Sequence, residues 1–152
     1  MDEINVCCLE DSSSVMPVFD HLTTVEGYKL NITDDYRDLA DWISEDRDFY
    51  DIYILDLKVP SYSLQSMPHF KNYDKGEHFS PTLYFMDNYL INEILGFENK
   101  VIIISAYFND YVGNKNFTAK LHRYRKVDKN DPEFMIKLKS HMNSIIKSRK
   151  ER

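Results

Sequence analysis

The feature that most constrains the fold is a short apolar run that ends at a carboxylate. Residues 52–55 are four consecutive large apolar side chains, a pattern typical of a strand buried on both faces of a sheet. Asp56 follows directly, and Pro60 comes four residues later. Such a strand places an anionic oxygen at the carboxyl edge of an open α/β sheet, where ligands bind. From this run alone, Asp56 is equally well interpreted as a ligand-binding carboxylate and as a residue that only caps a turn or the next helix.

Strand and helix patterns alternate along the rest of the chain. This alternation predicts a parallel sheet with helices on both faces, and it brings the carboxyl ends of all strands to one edge. An irregular loop is expected after Pro60, and residues 107–121 have only weak helical periodicity. The predicted strands cover residues 4–9, 28–33, 51–56, 101–104 and 122–125. The clearest predicted helix faces are Val15-Val18-Phe19-Leu22, Tyr36-Leu39-Ala40-Ile43, Leu83-Met86-Leu90-Ile94 and Phe134-Leu138-Met142-Ile145.

Five polar side chains are expected to meet at that edge. Glu10 and Asp11 follow the first strand, Asp56 the third, Ser105 the fourth, and Lys126 the fifth. Converging carboxylates cannot all stay ionised without a nearby cation. Their hard oxygens suit Mg²⁺, which usually accepts one or two protein carboxylates together with a phosphoryl oxygen. The set therefore predicts a magnesium site.

The same set has a chemical use once a metal is bound. The Asp56 carboxylate can attack phosphorus as a nucleophile and form an aspartyl phosphate. The three oxygens of the new phosphoryl group then need partners. We expect the metal to take one oxygen, the Lys126 ammonium another, and the Ser105 hydroxyl the third.

The ordered set resembles the receiver domain of two-component response regulators, the fold of the chemotaxis response regulator. The resemblance implies a flavodoxin-like α/β fold, a five-stranded parallel sheet in the order 2-1-3-4-5 with helices on both faces. The resemblance covers nearly the whole chain apart from residues 66–97. Residues 1–152 are therefore expected to form one receiver domain with an insertion around residues 66–97. The matching residues are Glu10-Asp11, Asp56 with Pro60, Ser105-Ala106 and Lys126, each group at a strand end.

The resemblance also implies roles and partners. A histidine kinase or a phosphotransfer protein supplies the phosphoryl group, and the domain catalyses only its own phosphorylation and dephosphorylation. The phosphorylated domain then changes its affinity for a downstream partner protein. The implied residues are Asp56 as phosphoacceptor, Glu10, Asp11 and the Lys58 backbone carbonyl as further Mg²⁺ ligands, Ser105 as switch hydroxyl, and Lys126 as phosphoryl partner.

Two positions depart from the family pattern. Val127 stands where a proline usually follows the lysine, and Arg123 stands at the aromatic switch position three residues before it. These departures concern the switching step more than phosphorylation. They leave open a degenerate receiver that binds partners without being phosphorylated.

Two other classes of protein fit the sheet less well. Phosphatases with an Asp nucleophile resemble one another in having a second aspartate two residues after the first. This chain has Lys58 at that position. A flavodoxin-like electron carrier would cradle a phosphate in the turn at residues 12–14. That turn has no glycine, and Glu10 and Asp11 would repel the phosphate.

Composition limits the partners and the compartment. Residues 1–56 are strongly acidic and residues 115–152 are basic, which argues against nucleic-acid binding by the whole domain. No apolar run approaches the roughly 18 residues that span a membrane. The acidic N-terminus lacks a signal-peptide pattern. Cys7 and Cys8 are adjacent and point to opposite faces of a strand, so we do not expect them to pair with each other. Two free thiols without an export signal indicate a reducing cytoplasm.

No output domain is expected after the last helix, so the chain is predicted to act alone by binding a partner protein. The insertion contains four aromatic residues, Tyr84, Phe85, Tyr89 and Phe97. They either form a docking surface for a partner or a second copy, giving a homodimer, or they close the core. The core interpretation is favoured.

Overall fold

The sheet has five parallel strands in the order β2-β1-β3-β4-β5. The computed structural model describes residues 3–70, 80–111 and 113–150. The predicted fold class and strand order are confirmed. The strands are β1 (Asn5–Leu9), β2 (Lys29–Thr33), β3 (Ile52–Asp56), β4 (Val101–Ser105) and β5 (Arg125–Asp128).

Seven α-helical segments surround the sheet within the described ranges. They are α1 (Met16–Thr24), α2 (Tyr36–Glu45), α3 (Tyr62–Gln65), α4 (Pro81–Phe85), α5 (Ile91–Glu93), α6 (Lys115–Leu121) and α7 (Phe134–Lys150). A π turn at Met86–Leu90 joins α4 to α5, and short 3-10 turns lie at Ser13–Val15, Pro68–Phe70, Phe97–Asn99 and Phe108–Tyr111. None of the helices in the described ranges has both the length and the apolar character that a membrane crossing requires.

The core lies on both faces of the sheet because successive strand residues point in opposite directions. All residues of β3 and β4 are buried, as expected for central parallel strands covered on both faces. One face packs against α2, α4 and α6, and it includes Cys7, Tyr53, Leu55 and Ile103. The opposite face packs against α1 and α7, and it includes Val6, Cys8, Ile54 and Ile102.

The predicted helix faces are largely confirmed. Buried residues of α2 are Tyr36, Leu39, Ala40 and Ile43, and those of α7 are Phe134, Leu138, Met142 and Ile145. In α1, Phe19 and Leu22 are buried, Val15 is buried in the preceding turn, and Val18 is partly buried. The Asp35 side chain caps α2 by accepting a hydrogen bond from the Arg37 N–H at 2.8 Å.

Residues 81–93 form the predicted helix between the third and fourth strands, with a π turn in its middle. Its predicted apolar residues Leu83, Met86, Leu90 and Ile94 are all buried. The aromatic residues of this region close the core: Phe85 and Phe97 are buried, and Tyr84 and Tyr89 pack against the core. Residues 71–79, part of the predicted insertion, lie outside the described residues.

The predicted fifth strand is wrong by three residues. The strand was expected at residues 122–125, but β5 covers Arg125–Asp128. Helix α6 ends at Leu121, and residues 122–124 form the turn that follows it. Tyr124 is buried in that turn and so imitates a strand residue in the sequence. Val127 is the one large apolar residue in β5, so the true strand has little periodicity to detect.

A buried hydroxyl in the core gives a test of the packing. The Tyr53 Oη is buried and has no hydrogen-bond partner among the described residues, while its ring packs on Tyr50 and Phe97. Tyr53→Phe keeps the ring and removes the unsatisfied hydroxyl. We expect the free energy of unfolding in urea to be unchanged or to rise by about 1 kcal/mol.

The matched control is Tyr36→Phe, which removes a satisfied hydroxyl. The Tyr36 Oη donates to the Val59 carbonyl at 2.9 Å and contacts Thr82 Oγ1 at 3.0 Å. We expect this variant to lose about 1–2 kcal/mol of unfolding free energy. Equal losses in the two variants would contradict the assignment of Tyr53 Oη as unsatisfied.

Candidate functional site

Three carboxylates converge at the carboxyl edge of the sheet. Glu10 and Asp11 follow β1, and Asp56 ends β3 beside it. Their carboxylate oxygens lie within 4.8 Å of one another. The structure brings together the three residues that the sequence predicted, because β1 and β3 are neighbours in the sheet.

Backbone N–H groups orient two of these side chains. The Glu10 Oε1 accepts a hydrogen bond from the Ser12 N–H at 2.9 Å. The Asp56 Oδ1 accepts one from the Lys58 N–H at 3.1 Å. Both carboxylates are buried, whereas Asp11 is exposed. Two fixed, buried carboxyl groups thus stand beside a third that solvent reaches.

A lysine ammonium bridges the two buried carboxylates, and that lysine is Lys129. Its Nζ lies 2.8 Å from Asp56 Oδ2 and 2.8 Å from Glu10. Lys129 is the first residue after β5, and its backbone N–H donates to the Ser105 carbonyl at 2.9 Å. Only 10% of the side chain is exposed, so the ammonium is held between the carboxylates with little screening by water.

The predicted role of Lys126 at this site is therefore corrected. The Lys126 Nζ donates to the Leu121 carbonyl at the end of α6, at 3.2 Å. The error follows from the position of β5, because a strand that begins three residues later also ends three residues later. The sequence signal that could have identified Lys129 is its position directly after Val127-Asp128, where β5 ends.

With Lys129 as the lysine of the site, the two departures from the receiver-domain pattern fall on other residues. Asn130, rather than Val127, now follows the lysine, and Lys126, rather than Arg123, lies three residues before it. Arg123 instead forms an ion pair with Glu98 at the surface. With either Lys126 or Lys129 as the reference lysine, the next residue is not a proline and the residue three positions earlier is not aromatic.

Ser105 lies at the same edge as the carboxylates. It ends β4, it is fully buried, and its Oγ accepts a hydrogen bond from the Tyr107 N–H at 2.9 Å. The Asn130 side chain donates to the Ala106 carbonyl at 2.9 Å. The loops after β4 and β5 are therefore joined to each other beside Asp56.

The electrostatics of the site show too little positive charge for three carboxylates. Burial, and then a hydrogen bond to Asp56, raises the pKa of Glu10 from 4.5 to about 7, although Lys129 opposes this shift. Burial and the Asp56 charge also raise the pKa of Asp11. Burial lowers the pKa of Lys129, but its hydrogen bonds to Asp56 and Glu10 outweigh that effect and raise it.

The donor set fits a hard divalent cation. Glu10, Asp11 and Asp56 supply carboxylate oxygens, which are the ligands that Mg²⁺ prefers. A cavity of about 730 Å³ opens beside Asp11 and Asp56, and its lining also includes Lys58, Tyr107 and Lys129. The Lys58 Nζ lies 4.3 Å from the centroid of the Tyr107 ring. There is space beside the carboxylates for a phosphoryl group.

Comparison with solved structures identifies the class of this fold. The chain is similar to the signal receiver domain of a Vibrio parahaemolyticus protein described as a Luxo repressor, with a TM-score of 0.60 and 19% identity, over 99% of this chain and 95% of that one. It is also similar to a response regulator receiver domain from Clostridium thermocellum, with a TM-score of 0.58 and 13% identity, over 98% of this chain and 99% of that one. The protein has the receiver-domain fold.

Sequence comparison adds no closer relative. No protein-family profile and no curated protein matches the sequence. The receiver-domain likeness therefore rests on the fold.

The shifted pKa of Glu10 predicts how stability depends on pH. Between about pH 4.5 and pH 7, the folded state holds a proton on Glu10 that the unfolded state has lost. The free energy of unfolding should therefore fall as the pH rises through this window. In EDTA, we expect wild type to lose on the order of 2 kcal/mol relative to Glu10→Gln, measured by urea unfolding at a series of pH values.

The control for this prediction is Glu45→Gln, which changes an exposed carboxyl group at the end of α2. It should keep the pH dependence of wild type. Parallel pH curves for wild type and Glu10→Gln would show that Glu10 does not titrate in this window.

Proposed function

We propose that the chain is a response regulator receiver that is phosphorylated on Asp56 in a Mg²⁺-dependent reaction. A histidine kinase or a phosphotransfer protein in the cytoplasm supplies the phosphoryl group, as in a phosphorelay. The phosphorylated chain acts as an interaction switch toward a partner protein. The observation that carries this proposal is the Lys129 ammonium, 2.8 Å from both Glu10 and Asp56 in a receiver-type fold.

The nucleophile is the Asp56 carboxylate. The Lys58 N–H holds Oδ1, and Lys129 holds Oδ2, so the carboxylate has a fixed orientation toward the cavity. A bond forms between an Asp56 oxygen and phosphorus while the bond from phosphorus to the donor imidazole nitrogen breaks, and the imidazole leaves with the electron pair. Positioning and charge neutralisation supply most of the catalysis in such transfers.

Mg²⁺ would be held by Glu10, Asp11, Asp56 and the backbone carbonyl of Lys58. When bound, it neutralises the phosphoryl oxygens and the excess negative charge of the site. The raised pKa values of Glu10 and Asp11 support this assignment, because they show a site that favours added positive charge.

Lys129 and Ser105 provide the contacts that differ between the two states. A phosphoryl oxygen on Asp56 attracts the Lys129 ammonium, which in the unmodified chain is shared with Glu10. The Ser105 Oγ accepts from the Tyr107 N–H, and its own hydrogen is a donor for a second phosphoryl oxygen. These contacts act on the joined loops after β4 and β5, which supply the two-state element.

The alternative is a degenerate receiver that binds a partner protein without being phosphorylated. The observation that favours it is Lys126, which stands at the aromatic switch position and bonds to the end of α6. The intact set of Glu10, Asp11, Asp56 and Lys129 favours phosphorylation.

The direct test is labelling by a small phosphodonor. With Mg²⁺ and acetyl phosphate, wild type should gain the mass of one phosphoryl group, and no label should form when EDTA is present during the reaction. Asp56→Asn should remain unlabelled, because it lacks the nucleophilic oxygen. The control Asp48→Asn changes an exposed aspartate before β3 and should label like wild type. Equal labelling of Asp56→Asn would contradict the proposed phosphoacceptor.

A pair of lysine variants tests the corrected site. Lys129→Met removes charge-assisted hydrogen bonds of about 1.5–3 kcal/mol, so the initial labelling rate should fall by roughly 10- to 100-fold. Lys126→Met removes the hydrogen bond from β5 to the Leu121 carbonyl at the end of α6, and it should label within about twofold of wild type. Both rates are measured at saturating Mg²⁺. The reverse ranking would restore Lys126 as the phosphoryl partner.

A further inference from the structure

The loop after Asp56 accepts hydrogen bonds from two hydroxyl groups at the start of α4. The Thr82 Oγ1 donates to the Asp56 carbonyl at 2.6 Å, and the Ser80 Oγ donates to the Leu57 carbonyl at 2.6 Å. All four residues are buried, with Thr82 at 0% exposure. These bonds join residues more than twenty positions apart, so they do not belong to a local turn.

A third hydroxyl completes the support. The Tyr36 Oη, from α2, donates to the Val59 carbonyl at 2.9 Å and contacts Thr82 Oγ1 at 3.0 Å. The carbonyls of Asp56, Leu57 and Val59 are thus all bonded. They flank Lys58, whose N–H holds Asp56 Oδ1 and whose carbonyl is a proposed Mg²⁺ ligand.

Thr82 has no role in starting its own helix. Ser80 is the N-cap of α4, because its Oγ accepts from the Leu83 N–H at 3.1 Å. Thr82 is the second residue of α4, and its hydroxyl donates to the carbonyl of Asp56 at the end of β3. Because a buried hydroxyl is unfavourable without a hydrogen-bond partner, the bond to the Asp56 carbonyl offsets the cost of burying the Thr82 hydroxyl.

We propose that Thr82 is a positioning residue for phosphoryl transfer at Asp56, acting through the backbone of residues 56–58. Its hydroxyl fixes the peptide that carries the nucleophile, and Ser80 and Tyr36 fix the next carbonyls. A metal ligand and a nucleophile that share this short loop need the same backbone geometry, and small misplacements slow transfer strongly. The inference rests on the proposed function of Asp56.

Two substitutions of Thr82 separate the hydroxyl from the packing. Thr82→Val has nearly the same shape but lacks the hydroxyl, whereas Thr82→Ser keeps the hydroxyl and loses the methyl group. We measure the initial rate of labelling by acetyl phosphate. We also measure the rise in the urea midpoint as Mg²⁺ is added, which reports binding without phosphorylation.

We expect Thr82→Val to label about tenfold more slowly and to show a smaller Mg²⁺-dependent shift of the urea midpoint. Thr82→Ser should remain within about threefold of wild type in rate and keep the full shift. A purely structural role predicts the opposite order, because valine would fill the site and serine would leave a space. That order would overturn the inference.

The control variant is Thr23→Val, which makes the same substitution at another threonine. The Thr23 Oγ1 donates to the Phe19 carbonyl at 3.0 Å within α1. It should match wild type in both measurements. If wild type is labelled and Thr82→Val equals it in rate and midpoint shift, the inference fails and the proposed function stands. If wild type is never labelled, the proposed function itself fails and the inference fails with it.

Discussion

The site depends on one ammonium group held between two buried carboxylates. Glu10 and Asp56 end neighbouring strands, and burial would make their mutual repulsion costly without a cation. Lys129 supplies that cation at 2.8 Å from each, from a third element that is distant in sequence. Because the strands are parallel, all three groups reach the same edge. The geometry of the sheet and the charge balance of the site thus depend on each other.

One lysine does not neutralise the whole cluster. Glu10 keeps a raised pKa despite the nearby ammonium, and Asp11 adds a third carboxylate that solvent reaches. A divalent cation would complete the charge balance, and a phosphoryl group on Asp56 would shift it again. The proposed switch rests on this charge balance, because each added charge would change which partner the Lys129 ammonium favours.

Hydrogen bonds to the backbone carbonyls of Asp56 and Leu57 also hold the loop that follows Asp56. Thr82 and Ser80, at the start of α4 between the third and fourth strands, donate hydrogen bonds to the carbonyls of Asp56 and Leu57. The aromatic residues of the same segment, Phe85 among them, close the core on that face of the sheet. This segment is therefore joined to the loop after Asp56 by hydrogen bonds and to the core by apolar contacts.

The sequence by itself determined the central strands, the helix faces and the three carboxylates. Long apolar runs such as residues 52–55 and 101–104 identify buried parallel strands, and such strands bring Glu10 and Asp56 to one edge. Only the tertiary structure decided which lysine meets them. The edge strand β5 has one large apolar residue, Val127, so periodicity cannot place its end. The hydroxyl bond from Thr82 to Asp56 depends on the packing of residues 26 positions apart, which no local pattern contains.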